Sequence, residues 1–220
     1  MSTKQNKSNY AMSRRRKTCI FILCLLLGAV VVGLDHSCAS RKHRHPLQSA
    51  DSAISCSYDI KKYHCKTFTV VNVVDGDTID IDIPDGNYNH TRIRLWGVDT
   101  PETKSPDTPT MYFGEEASSF TKKLTLNKKV RLFLASDKTR GKYGRLLAYV
   151  RLPDDRFLNE ILISQGFGYA DLRFEHSFYN KYKQLDSVAR NQKKGLWKKV
   201  KREQLPEWLQ RKKPKLLLRK

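Results

Sequence analysis

The sequence predicts an α+β fold, mainly β, in which five short strands close into a small barrel with three helices packed on it. Two observations predict this class. Short runs of β-branched, aromatic or alternating residues are separated by turn signals, and helical spacing begins only after three such strands. The resulting order is three strands, one helix, two strands and two helices, with no internal repeat. Such an order of short strands is typical of a small barrel.

The first three strands are predicted to form an antiparallel meander. Residues 66–74 are rich in β-branched and aromatic side chains. Residues 78–83 alternate apolar residues with aspartate, which buries one face and leaves the other in water. Asp75-Gly76 lies between these two runs and is a strong hairpin signal. A second turn at Pro84-Asp85-Gly86 leads to a third strand over residues 92–98.

The second half of the chain adds the remaining elements. Ala117, Phe120 and Leu124 fall at helical spacing behind a first turn rich in glutamate, whose charge favours a helix N-terminus. Another helical stripe contains Phe178 and Tyr182. The predicted bounds are 114–127, 157–166 and 178–194 for the helices, and 130–135 and 145–152 for the strands.

Length and charge indicate one domain with two basic ends. A chain of 220 residues has room for one ordinary domain plus tails. Of the net charge of +20, residues 1–62 and 198–220 carry +8 each, and residues 63–197 carry +4. Basic ends favour polyanions such as nucleic acid or an anionic membrane surface, but a solvated basic tail is also common. Charge alone therefore leaves both interpretations open.

The N-terminal region has the layout of an export signal. Arg14-Arg15-Arg16-Lys17 precedes an uncharged apolar run over residues 19–34, as a positive n-region precedes an apolar h-region. The run is intermediate in length between an h-region and a spanning helix, so it is a signal peptide or a signal anchor. We expect an exported protein, either membrane-anchored by this segment or secreted or periplasmic after cleavage.

The patterns together predict five regions. They are a basic n-region (1–18), the apolar segment (19–34), a polar linker (35–62), the barrel domain (63–199) and a basic tail (200–220). The linker is rich in Ser, His, Lys and Arg without a period, and the tail is expected to be a short helix or disordered. Cys56 and Cys65 are close enough to close a small loop in an oxidising compartment, or they stay reduced.

Two aspartates are the leading candidates for a metal site. Asp77 follows the Asp-Gly turn and Asp99 ends the third strand, and a meander can bring these two positions side by side. Two carboxylates and a backbone carbonyl suit Ca²⁺, which accepts irregular oxygen cages. Asp75, Asp80 and Asp82 compete on spacing alone. The Asp-Gly-Asp segment by itself is more often an ordinary turn.

Arginines and one glutamate complete a set suited to phosphodiester hydrolysis. Arg92 and Arg94 share a strand face, so one or both can bind a phosphate through two hydrogen bonds. Glu102 is a candidate general base near a metal-bound water, and a surface salt bridge with Arg94 is the alternative. Arg145 adds a second positive charge to neutralise charge that develops at phosphorus.

Four segments in order resemble the staphylococcal nuclease family. They are Asp75-Gly76-Asp77-Thr78, then Arg94 followed by Val98-Asp99-Thr100-Pro101-Glu102, then Gly114-Glu115-Glu116-Ala117-Ser118, then Lys142-Tyr143-Gly144-Arg145. The resemblance runs from about Phe68 to Trp197. It implies an OB-fold barrel with three helices and Ca²⁺-dependent hydrolysis of DNA and RNA with little sequence preference.

The resemblance also implies a role for each matching residue. Asp77 and Asp99 become metal ligands through their side chains and Thr100 through its carbonyl. Glu102 becomes the general base, and the two phosphate clamps are Arg94 and Arg145. Lys142 and Tyr143 lie beside the substrate phosphate, and the 5′ oxygen leaves, so that products carry 3′-phosphate ends. The protein is expected to act as a monomer.

The sequence departs from the family pattern at three places. Gly141 replaces an acidic residue before the Lys-Tyr-Gly-Arg segment. The tyrosine-rich base-stacking segment is replaced by residues 169–174, in which Tyr169 or Phe174 is the candidate for stacking on a base. The loop over residues 104–113 carries fewer lysines, which predicts a weaker grip there or a grip shifted to the C-terminal tail.

A different class of function is also compatible with this fold. The alternative is a catalytically inactive OB-fold module that binds nucleic acid and is tethered at the membrane. Such copies usually lose the acidic ligands or the arginines. All five catalytic and ligand side chains are present here, which favours the enzyme.

Overall fold

The computed structural model describes residues 46–103 and 110–217, with side chains described from residue 54 onward. The apolar run over residues 19–34 and the first part of the predicted linker lie outside the described residues, so export stays a prediction. Within the described ranges, no helix is long and apolar enough to cross a membrane.

The described chain begins with a helix, α1, at Pro46–Tyr63. The sequence predicts a polar linker as far as residue 62, so this helix is an element that the pattern missed. Its apolar residues form only a weak stripe, and its position depends on contacts with the barrel. Tyr63 is fully buried, and Asp59, which is 1% exposed, forms an ion pair with Arg140 at 2.7 Å. The helix therefore belongs to the folded domain.

Five strands of the described chain form a closed barrel. Strands β1 (Thr67–Asp75), β2 (Thr78–Ile81) and β3 (Thr91–Leu95) pair antiparallel in sequence order, which confirms the predicted meander. Strand β5 (Lys129–Phe133) pairs antiparallel with β1 and β6 (Leu146–Arg151), and β6 pairs parallel with β3. The predicted α+β class with a five-stranded OB-fold barrel is confirmed.

The third strand ends earlier than predicted because the chain turns at Trp96-Gly97. Gly97 has φ 75°, and a Cβ there would lie 2.4 Å from Nε2 of His176, so the turn requires glycine. After the turn, strand β4 (Val98–Asp99) pairs with strand β7 (Tyr169–Ala170) in a separate two-stranded sheet. Asp99 is therefore held beside the barrel, on a strand of its own.

The three predicted helices are confirmed, and each is shorter than its predicted range. They are α2 (Gly114–Thr125), α3 (Leu158–Ser164) and α4 (Tyr179–Asn191). Helix α3 also fixes the turn that precedes Asp99, through the fully buried Asn159. The Asn159 side chain accepts a hydrogen bond from the Val150 amide at 2.9 Å and donates one to the Trp96 carbonyl at 3.0 Å. This amide satisfies main-chain groups that would otherwise be buried without partners.

The C-terminal tail is folded as far as the structure describes it. Two short 3₁₀ turns at Gly195–Lys198 and Arg202–Gln204 lead to helix α5 (Glu207–Lys212). Leu205 and Leu209 are each 2% exposed and form an apolar cluster with residues that include Tyr169, Leu196 and Trp197. Of the two expected outcomes, a short helix is therefore the one observed.

The two cysteines of the described chain are free thiols. Cys56 donates a hydrogen bond from Sγ to the carbonyl of Ser136 at 2.9 Å, and Cys65 is exposed. The disulfide considered from their spacing is not formed.

Candidate active site

The turn between β1 and β2 brings Asp77 against the segment that contains Asp99. Oδ2 of Asp77 accepts a hydrogen bond from the backbone amide of Thr100 at 2.8 Å. The approach is close, since a Cβ at Gly76 would lie 2.7 Å from Oγ1 of Thr100. Thr121 of α2 donates to the Gly76 carbonyl at 2.6 Å and fixes the same turn. Asp77 therefore contacts the backbone of the residue that follows Asp99.

Arg94 lies between the two predicted metal ligands. Its Nη2 is 2.5 Å from Oδ1 of Asp99, and its Nη1 forms an ion pair with Oδ2 of Asp77. The Arg94 side chain is 14% exposed, so this cation is largely enclosed by the site. The alternative of a surface salt bridge between Arg94 and Glu102 is not what forms, because Arg94 binds the aspartates.

The structure gives other partners to the residues that competed as site candidates on spacing alone. Arg92, although on the same face of β3, forms an ion pair with Asp80 at 2.8 Å, and Asn72 also donates to Asp80 at 3.0 Å. Asp82 accepts a hydrogen bond from the Thr69 amide at 2.8 Å. These residues therefore have structural partners away from Arg94.

Asp75 stays within the electrostatic reach of the site. Its Oδ1 accepts a hydrogen bond from the Asp77 amide at 3.1 Å. Burial raises the pKa of Asp75, and the positive charges of Arg94 and Arg145 act in the opposite direction. Asp75 is best described as part of the turn that presents Asp77.

Glu102 faces the same charges from the loop that follows β4. Its side chain is open to solvent on one side, yet the surrounding protein removes enough water to raise the pKa of the carboxyl group. The negative charges of Asp75 and Asp99 raise this pKa further, whereas Arg94 and Arg145 lower it. The loop is fixed at this point, because the Glu102 carbonyl accepts a hydrogen bond from the Met111 amide at 2.9 Å. Glu102 is thus a carboxylate with increased proton affinity at the edge of the site.

Arg145 directly precedes β6, the strand that pairs with β3 beside Arg94. Its Nη1 lies 3.4 Å from Oγ1 of Thr78, the residue after Asp77. Burial and the like charge of Arg94 lower the pKa of Arg145, and the charges of Asp75 and Glu102 oppose that shift. Both predicted clamps are therefore close enough to interact electrostatically.

Lys142 and Tyr143 lie on the exposed turn before Arg145. The Tyr143 side chain is 76% exposed, and Lys142 Nζ lies 5.5 Å from the centre of its ring. Cζ of Arg145 lies 5.9 Å from the same centre. The two residues predicted to contact substrate are thus accessible at the rim of the site.

One stacking candidate is wrong. Tyr169 is fully buried in the apolar cluster under the C-terminal tail, with its ring 5.5 Å from that of Trp197, so it is not available to a base. Phe174 is 55% exposed and remains accessible.

Two residues that the sequence interpretation missed contact Asp99. Trp208 of α5 donates from Nε1 to Oδ2 of Asp99 at 2.7 Å, and Arg173 donates from Nη2 to Oδ1 at 3.0 Å. Arg173 is anchored in turn by Asp171 at 2.8 Å. No local sequence pattern predicts these contacts, since Trp208 lies 109 positions after Asp99 in the chain.

The donor atoms around Asp77 and Asp99 fit a hard cation such as Ca²⁺. The two carboxylates supply the oxygen ligands that Ca²⁺ prefers. In residues 46–103 and 110–217, no group of three His, Cys, Asp or Glu side chains is placed to hold a metal ion. A cation here would therefore take two carboxylates and complete its shell with the Thr100 carbonyl and water. The two carboxylates already converge on one positive group, the Arg94 guanidinium.

Comparison with known proteins agrees with this geometry. The family model described as "Staphylococcal nuclease homologue" matches residues 92–199. The chain is 41% identical over 133 residues to "Thermonuclease" of Staphylococcus hyicus, covering 60% of this chain and 76% of that protein. It is 40% identical over 135 residues to "Thermonuclease" of Staphylococcus intermedius, covering 61% and 77%. It is also 34% identical over 133 residues to "Endonuclease YncB" of Bacillus subtilis (strain 168), covering 60% and 61%.

Proposed function

Because the chain belongs to the staphylococcal nuclease family, we propose that it is a Ca²⁺-dependent endonuclease of DNA and RNA with little sequence preference. The observation that carries the proposal is the convergence of two aspartates on one arginine. Asp77 and Asp99 both bind Arg94, and the charges of Glu102 and Arg145 act on the same group of residues. Oxygen ligands, a carboxylate base and two guanidinium groups are the parts that phosphodiester hydrolysis requires.

The cation would be held by the side chains of Asp77 and Asp99 and by the carbonyl of Thr100. When bound, Ca²⁺ supplies positive charge that polarises the phosphate and orients a water molecule. The hydrogen bond from the Thr100 amide to Asp77 keeps two of these three groups in register.

The remaining residues act on the proton and on the phosphate. Glu102 accepts a proton from the attacking water, and its raised proton affinity suits that task. Arg94 and Arg145 donate hydrogen bonds to the phosphate oxygens and stabilise the negative charge of the pentacoordinate state. With the 5′ oxygen as the leaving group, the product ends carry 3′-phosphates.

Cleavage assays on the full chain test this proposal. Plasmid DNA, single-stranded DNA and RNA are incubated with the protein in Ca²⁺ or in excess chelator, and end-labelled fragments are analysed for 3′-phosphates. We expect cleavage of all three substrates in Ca²⁺ and loss of cleavage with chelator. Retention of DNA without cleavage in Ca²⁺ would instead identify a binding module.

A further inference from the structure

The carboxylate of Asp99 is held by donors from three parts of the chain. Oδ1 accepts hydrogen bonds from Arg94 at 2.5 Å and Arg173 at 3.0 Å, and Oδ2 accepts one from Trp208 at 2.7 Å. The Arg173 guanidinium also lies 4.7 Å from the Trp208 ring centre. Trp208 lies outside residues 92–199, which are the part of the chain that the family model matches. This contact therefore comes from the C-terminal tail, outside the matched part of the chain.

The tail is anchored independently of this hydrogen bond. Leu205 and Leu209, on either side of Trp208, are each 2% exposed in the apolar cluster. Lys213 also lies 3.4 Å from the buried Asp186 of α4. Burial of two leucine side chains stabilises the position of the tail more than one hydrogen bond to Asp99 does. The indole N–H is thus presented to Asp99 by a segment that is already in place.

We propose that Trp208 is a positioning residue that orients Asp99 for the cation, an inference that rests on the proposed function. Each carboxylate oxygen has two lone pairs, so Oδ2 keeps one for a cation after it accepts the indole hydrogen bond. The indole is neutral, so it fixes the carboxylate without adding a positive charge that competes with a metal. Partners that orient a ligand in this way typically change metal affinity 10- to 100-fold.

The test compares two Trp→Phe substitutions in the same apolar cluster. Trp208→Phe removes the indole N–H that binds Asp99 and keeps an aromatic ring. Trp197→Phe is the matched control, because Trp197 also packs against an arginine, Arg190 at 5.8 Å, and its Nε1 has no partner among the described residues. We expect Trp208→Phe to weaken Ca²⁺ binding, measured by titration calorimetry on the full chain, by about 10-fold or more. Trp197→Phe should bind Ca²⁺ as the unsubstituted chain does.

Melting temperature without metal separates positioning from folding. If Trp208→Phe lowers Ca²⁺ affinity only in proportion to a loss of stability that Trp197→Phe shares, the residue is merely structural and the inference is wrong. Equal or tighter Ca²⁺ binding by Trp208→Phe also overturns it, and tighter binding would mean that the tail competes with the metal. If the unsubstituted chain neither binds Ca²⁺ nor cleaves DNA, the proposed function fails as well.

A second and independent feature is a groove of about 830 Å³ between the β2–β3 loop and the turn before β6. One wall contains Asn87, Tyr88 and His90, and the other contains Tyr143 and Arg145. Tyr88 and Tyr143 are each 76% exposed, so both rings are open to solvent on this groove. The groove is continuous with the site, because Arg145 lines it and also interacts with Glu102 and Arg94.

The wall that carries Tyr88 is held in a fixed shape. Asp85 and Tyr88 exchange backbone hydrogen bonds at 3.0 and 3.1 Å, and Arg140 binds the Asp85 carboxylate at 2.6 Å. Exposed aromatic rings on a rigid, partly basic groove are the features by which proteins hold single-stranded nucleic acid, since each ring stacks on a base.

We infer that this groove binds nucleotides flanking the scissile phosphate, with Tyr88 stacking on a base. The inference depends on the proposed function for the position of the phosphate at Arg145. A strand with its phosphate at Arg145 would continue along the groove past Tyr143 and Tyr88. Asn87 adds amide groups that hydrogen bond to base edges.

Oligonucleotide binding by the full chain tests the groove. We expect Tyr88→Ala to weaken the binding of a 12-nucleotide single strand by at least about fivefold, as loss of one stacked base does. The loss should be smaller for a dinucleotide, and Tyr88→Phe should restore the affinity because it keeps the ring. Tyr58→Ala is the control, because Tyr58 is 59% exposed on α1 and does not line the groove.

The outcomes distinguish strand binding in the groove from cleavage at the site. If Tyr88→Ala stays within twofold of the unsubstituted chain, or loses affinity equally for both lengths, the groove is not the path of the strand. A chain that binds the 12-nucleotide strand through Tyr88 but does not cleave in Ca²⁺ would support the groove and refute the proposed function.

Discussion

Glu102→Gln is expected to lower kcat on DNA by about 10²- to 10⁴-fold, the range that a general base contributes. The amide keeps the size and hydrogen-bonding reach of the side chain but does not accept a proton from water at neutral pH. The phosphate contacts that we assign to Arg94 and Arg145 remain, so the dissociation constant for DNA should stay within about threefold. Single-turnover cleavage and fluorescence anisotropy, both in Ca²⁺, measure the two quantities.

Glu116→Gln is the matched control for this substitution. Glu116 is an exposed glutamate in the first turn of α2, where removal of its charge affects the helix by less than about 1 kcal/mol. Its kcat should equal that of the unsubstituted chain. A parallel loss of turnover and DNA binding in Glu102→Gln, or a large drop in the free energy of unfolding, would show that Glu102 has a structural role instead.

Local patterns were sufficient to predict most of the barrel. The alternation in residues 78–83 and the Asp75-Gly76 turn define a hairpin, and its pairing with the third strand brings Asp77 close to Arg94. The exact position of Asp99 depends also on the Gly97 turn and on the pairing of β4 with β7, which local patterns did not predict. The same patterns placed three helices within a few residues of their ends, because an amphipathic stripe reports directly on which face is buried.

The features that were missed depend on single contacts between distant residues. Helix α1 has a weak apolar stripe, and the ion pair between Asp59 and Arg140 joins positions 81 apart. Trp208 reaches Asp99 across 109 positions, and no periodicity reports such a contact. Tyr169 was wrongly predicted as a candidate for stacking on a base. An aromatic residue in a motif does not show which side of its strand faces the core, and Tyr169 is buried. Hydrophobic periodicity and turn-forming residues predict the structure of one element at a time, whereas contacts between distant residues exist only in the assembled fold.

Arg140→Met is expected to lower the free energy of unfolding by about 3 to 5 kcal/mol, the usual result when one partner of a buried ion pair is removed. Arg140 binds both oxygens of Asp59 at 2.7 and 2.8 Å and both oxygens of Asp85 at 2.6 and 2.9 Å. Methionine keeps much of the apolar volume of the side chain but leaves the buried Asp59 carboxylate with the Thr139 hydroxyl, at 2.7 Å, as its remaining side-chain donor. Urea unfolding followed by circular dichroism measures the change.

Arg156→Met is the control for this loss, because Arg156 pairs with Asp154 at 2.6 Å on the surface. An exposed pair contributes little, so this variant should unfold at nearly the same urea concentration as the unsubstituted chain. The double variant Asp59→Leu/Arg140→Met should recover part of the stability, since it no longer buries an unpaired charge.

Hydrogen bonds from Arg140 lower the pKa of Asp85 below its ordinary value of 3.8. The stability from that pair is therefore present above about pH 4 and is lost as the pH falls through the lowered pKa. The difference in the free energy of unfolding between the unsubstituted chain and Arg140→Met should therefore become smaller in acid. Equal losses for Arg140→Met and Arg156→Met at neutral pH would mean that the Asp59 pair does not hold α1 on the barrel.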